Sequence, residues 1–74
     1  MDWIKTRVRK GDEYGTIVHD DNWRFRILTA KMDNGNTETI TMNNIGPDPN
    51  PEELAKWEFF WDTPKEQKWI RFSP

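Results

Sequence analysis

Apolar and polar positions alternate along most of this chain. Between residues 3 and 9, Ile4, Thr6 and Val8 fall on one side and Trp3, Lys5, Arg7 and Arg9 on the other, the period of a half-buried strand. Lys10-Gly11-Asp12 interrupts it with turn residues. Residues 13–19 form a second strand, and Gly15 inside it marks a bulge or a tight bend. After an Asp20-Asp21-Asn22 turn, residues 23–33 make the longest strand. Trp23, Phe25 and Ile27 share one face of it, opposite Arg24 and Arg26. From Leu28 onward the apolar set changes sides, as Leu28, Ala30 and Met32, which predicts a bend.

Asn34-Gly35 suits a two-residue type I′ turn, which needs positive φ at both positions. That turn would set Asp33 opposite Asn36, Lys31 opposite Glu38, Thr29 opposite Ile40 and Ile27 opposite Met42. Ile27, Ile40 and Met42 would then share the buried face, and Lys31–Glu38 would be a cross-strand charge pair. The prolines of Gly46-Pro47-Asp48-Pro49-Asn50-Pro51 exclude a central strand. Asn50 reads as a helix N-cap and Pro51 as the first helical residue, which predicts a short helix over 51–56. Trp57, Phe59 and Trp61 alternate with Glu58, Phe60 and Asp62 in a strand with one aromatic face, and residues 67–72 form the last strand.

Five or six short strands and one helical turn in 74 residues predict a single all-β, mostly antiparallel domain over residues 1–74, rolled into a small barrel. The stretch Gly11-Asp12-Glu13-Tyr14-Gly15-Thr16-Ile17-Val18, followed by Asp33-Asn34-Gly35, resembles SH3-like small barrels of the KOW and Tudor kind. The resemblance covers residues 8–46. It implies an SH3-like β-barrel; the proline-rich insert and the Trp-rich end lie outside its pattern.

Composition sharpens this picture. Ile, Val and Thr outnumber Leu and Ala by fifteen to four, which favours pleated sheet over helix. Apolar residues are few (34 %), so the core must draw on the five Trp and four Phe. The chain has no Cys and one His, which argues against disulfides, thiolate chemistry and zinc. No apolar run exceeds Phe59-Phe60-Trp61, and the expectation is a soluble, cytoplasmic protein with no membrane contact. Net charge is −2, unevenly spread: residues 1–31 carry seven Lys/Arg against five Asp/Glu, and residues 32–74 carry four against eight.

Catalytic readings have little support. His19-Asp20-Asp21 lacks further ligands for a metal, and Asp33-Asn34-Gly35-Asn36-Thr37-Glu38 has the wrong spacing for a calcium loop. Lys10-Gly11-Asp12-Glu13-Tyr14-Gly15 precedes no helix and lacks the Gly-Lys-Ser/Thr of a phosphate cradle. With Ser73 as the one serine, a nucleophile is hard to assemble. The expectation is a non-enzyme without metal or cofactor. Trp57, Phe59, Trp61 and Trp69 read either as core or as an aromatic cage for a cation, with core preferred. The candidate binding set is Trp3, Lys5, Arg7, Arg9, Arg24 and Arg26, basic residues beside a ring. We expect a binding module acting through its surface on a protein partner. The alternative is weak, sequence-tolerant nucleic-acid binding, with those cations on phosphates and Trp3 stacking bases.

Overall fold

The fold is described by a computed structural model for residues 3–21, 26–42 and 51–72. Among these residues six strands and one short helix follow in order: β1 (Arg7–Lys10), β2 (Glu13–Asp21), β3 (Ile27–Met32), β4 (Thr37–Thr41), α1 (Pro51–Leu54), β5 (Trp57–Asp62) and β6 (Gln67–Ile70). The strands form one sheet of order β4-β3-β2-β1-β5-β6, with every ladder antiparallel. The all-β class is as expected. Among the described residues the ladders do not close into a barrel: β4 and β6 are the two edges of the sheet.

The inner face follows from alternation. Val8, Ile17, Leu28, Ala30, Met32, Ile40, Trp57 and Phe59 are buried on it, with Trp3 and Leu54 added from outside the strands. Trp3, Phe59 and Phe72 meet as a ring cluster, with centroids 5.2–5.8 Å apart. Gly15 lies close against β3: a Cβ there would stand 2.9 Å from the Lys31 carbonyl oxygen. The bulge falls later. Ile17 pairs with Ala30 and His19 with Thr29, so Val18 is the inserted residue and is left 51 % exposed.

Several expectations need correction. Residues 3–6 are not strand. The Thr6 amide donates to the Trp3 carbonyl at 3.0 Å and Lys5 has φ +75°, a tight turn that sends Trp3 into the core instead of onto a face with Arg7 and Arg9. Asp20 and Asp21 belong to β2 and not to a turn. The β3–β4 connection is a three-residue loop, Asp33-Asn34-Gly35, rather than a two-residue type I′ turn. Gly35 takes φ +95° while Asn34 does not have positive φ, and the Met32 amide donates to the Asn36 carbonyl at 2.7 Å.

The register therefore moves by one residue: Leu28 faces Ile40, Ala30 faces Glu38 and Ile27 faces Thr41. Ile27 turns outward, and Lys31–Glu38 is not a pair. Glu38 instead accepts from Lys10 Nζ, whose ammonium lies 5.1 Å from the centre of the Trp57 ring. Ile27 and Leu28 are consecutive residues of one regular strand, with no bend between them; the backbone departs from extended form just before it, at Arg26 with φ +47°, and the Arg26 carbonyl accepts from the Met42 amide. Asn22, Trp23, Arg24, Phe25 and residues 43–50, with the cap expected at Asn50, lie outside the described residues.

Candidate interaction surface

The outer face of the sheet carries chemistry that no core requires. Strand register puts Tyr14 of β2, Arg9 of β1 and Glu58 of β5 in one row, and Phe60 of β5 opposite Trp69 of β6 beside it. The Arg9 guanidinium lies over the Trp69 ring at 4.2 Å. It also donates two 3.2 Å bonds, from Nε and Nη2, to the two oxygens of Glu58. Arg71 adds a third donor to Glu58, at 3.2 Å. Tyr14 and Phe60 stand against Trp69 with ring centroids 5.9 and 5.2 Å apart. Tyr14 is 40 % exposed, and Phe60 and Trp69 are half-buried. Two planar groups, a phenol and an arginine are thus held rigid by their neighbours on the solvent side.

Ion pairing fixes the charges of this face. Hydrogen bonding to Glu58 raises the pKa of Arg9, and the same bonds hold Glu58 below the usual carboxylate range. Arg7 donates at 2.9–3.0 Å to both oxygens of Asp33 and at 2.9 Å to Thr16, tying the β3–β4 loop to β1; Asp33 is lowered and Arg7 raised by that contact. At the far end Arg26 donates to Asp20 at 3.1 Å. Asp20 is lowered mainly by that bond, with the Trp3 amide helping at 3.3 Å.

The predicted binding set is therefore dispersed. Arg7 and Arg9 share the outer face; Trp3 is 7 % exposed, in the core; Arg26 belongs to the opposite end of β3; Arg24 is outside the described residues. Of the four rings weighed as a cage, Trp57 and Phe59 are buried on the inner face while Trp69 is on the outer one, so strand alternation separates them. Tyr14, Phe60 and Trp69 were missed as a group. The signal available was register: Phe60 and Trp69 face each other across the Thr63–Glu66 loop.

Beside Phe60 the sheet splits. The β1–β5 ladder ends at Val8 opposite Phe59. Beyond it Thr6 accepts from Ile17 and the Lys5 amide donates to Ile17. The start of the chain thus peels toward β2 and leaves a cleft of about 240 Å³ between residues 3–7 and 60–63.

Among the described residues no three His, Cys, Asp or Glu side chains converge as a metal site, and no helix is long and apolar enough to cross a membrane. No protein-family model, characterised protein or solved structure matches the chain.

Proposed function

We propose that this is a non-catalytic binding module, built on a small SH3-like sheet, that recognises a protein partner through its outer face. The observation that carries the reading is Arg9 clamped between Trp69 and Glu58, flanked by Tyr14 and Phe60. Trp, Tyr and Arg are the residues that most often dominate interface energies, and pre-ordered side chains lose little entropy on binding. Nucleic-acid binding is the weaker reading. Arg7, Arg9 and Arg26 are each engaged by a carboxylate, which a phosphate would have to displace, and the predicted stacking ring Trp3 is buried.

The test is selection of displayed peptides on the folded chain, with Tyr14→Ala/Trp69→Ala as the counter-screen. Loss of hot-spot residues worth about 2 kcal/mol lowers affinity roughly 30-fold, so selected peptides should bind the folded double variant at least that much more weakly. A short single-stranded oligonucleotide should leave the Trp fluorescence unchanged at low and moderate salt. Saturable, salt-sensitive quenching that disappears in Arg7→Glu/Arg9→Glu would overturn the proposal in favour of nucleic acid.

A further inference from the structure

The cleft where β1 and β5 part has a composition of its own. Ile4, Phe60, Trp61 and the edge of Trp3 form its apolar lining, and it is lined from both faces of the sheet because it is a gap in the sheet. Its rims carry opposite charge: Lys5 on the β1 side and Asp62 on the β5 side, both exposed. Among the described residues neither has an ion-pair partner, in contrast to Arg7 at the mouth, which Asp33 holds. Lys5 also adopts φ +75°, a conformation a non-glycine residue enters at a cost, in the turn where glycine is favoured. A structural role alone would be better filled by glycine; the lysine keeps an ammonium at the rim. About 240 Å³ is below the roughly 300–1,000 Å³ of sites for whole small ligands, and suits one large side chain.

Resting on the reading of this protein as a peptide- or protein-binding module, we infer that the cleft receives a single large apolar side chain of an extended partner segment, with an acidic residue before or after it on Lys5 and a basic residue on the Asp62 side. In an extended chain the two residues flanking an anchor stand about 7 Å apart, so long charged side chains on either side straddle a narrow cleft. Phe60 lines the cleft and also packs on Trp69, so the anchor and the outer aromatic face are one continuous surface.

The inference is tested by nuclear magnetic resonance titration of the isotope-labelled full chain with three capped peptides, centred on Glu-Leu-Lys, Glu-Ala-Lys and Lys-Leu-Lys. Saturable shifts are expected from Glu-Leu-Lys at Ile4, Lys5, Trp61, Asp62 and Thr63, and none from Glu-Ala-Lys. Lys-Leu-Lys should bind about two- to fivefold more weakly, the range an exposed charge pair supplies. Lys5→Gly relieves the backbone, so it should melt higher than the parent, yet lose the preference for Glu-Leu-Lys over Lys-Leu-Lys. Equal shifts from the Leu and Ala peptides, absence of shifts in the cleft, or a preference that survives Lys5→Gly would each overturn it. If peptides selected on the whole chain still depend on Tyr14 and Trp69 in that case, the cleft inference fails alone. If they do not, the binding reading fails with it.

Discussion

Gly15→Ala isolates a close approach between two strands. Gly15 is buried, pairs with Val8 on one side and Met32 on the other, and does not have positive φ. Backbone conformation thus raises no objection to alanine, and removing a glycine from a strand would by itself gain roughly 0.5–1 kcal/mol. The added methyl meets Met32 Sδ at 2.6 Å, the Lys31 carbonyl oxygen at 2.9 Å and Met32 Cα at 3.1 Å. The sulfur is the far end of a flexible chain and can swing away. The carbonyl belongs to the β2–β3 ladder and cannot move without stretching it. Overpacking of this kind costs about 1–3 kcal/mol, which set against the propensity gain leaves a net loss of up to about 2.5 kcal/mol. In a domain this size each kcal/mol lowers Tm by about 4–8 °C. The assay is urea unfolding followed by Trp fluorescence, with a lower midpoint and an unchanged slope expected. Adding Met32→Ala separates the two overlaps. If the sulfur alone were responsible, the double variant would be no less stable than Met32→Ala. A Gly15→Ala midpoint at or above the parent's would refute the close approach itself.

Three further outcomes follow from the fold. Gly35→Val should lose about 1 kcal/mol or more, because φ +95° is strained for a β-branched residue even though space around it is open; calorimetry showing an unchanged Tm would contradict the loop conformation. Phe59→Ala should cost about 3–5 kcal/mol and leave much of the chain unfolded by circular dichroism, since this fully buried ring touches Trp3 and Phe72. Asp20, Asp33 and Glu58 titrate lower in the folded chain than in the unfolded one, so the folded state binds fewer protons at mildly acid pH. Their contribution is complete above the unfolded values of about 4 and is lost as pH falls through the lower folded ones. Acid titration of stability should show that loss, with a shallower limb in Asp33→Asn and Glu58→Gln; identical limbs would refute the pairing.

Alternation made most of the strands and the aromatic inner face of β5 legible. It misjudged the β3–β4 register because two signals competed. Asn34-Gly35 favours a two-residue turn, but burying Ile40 on the same face as Leu28, Ala30 and Met32 requires an inward residue of β3 opposite it, and Leu28 takes that place. That pairing leaves three residues in the loop. The side chain of Asn34 then accepts from the Asn36 amide at 2.9 Å, so asparagine serves the longer loop equally well. The candidate site was less legible. Trp3 follows strand period by coincidence, and nothing local announces that Lys5 turns the chain. The Arg9–Trp69 contact joins residues far apart in sequence, and period alone does not say which ring of a Trp-rich segment meets which cation.

The Lys10–Glu38 contact on the inner face says how the sheet is shaped. Its residues sit on β1 and β4, three ladders apart, and in a flat sheet strands so placed would be about 14 Å from one another. Side chains of this length meet across that span only if the sheet is rolled about its core, and the clasp closes over Trp57. The inner surface is therefore the concave side, roofed by its own strands, and the side bearing Tyr14, Phe60 and Trp69 is convex. On a convex surface neighbouring side chains splay apart. The rings of this face stay in contact all the same, Tyr14 and Phe60 at centroid distances of 5.9 and 5.2 Å from Trp69, so curvature turns their outer edges toward solvent without parting them.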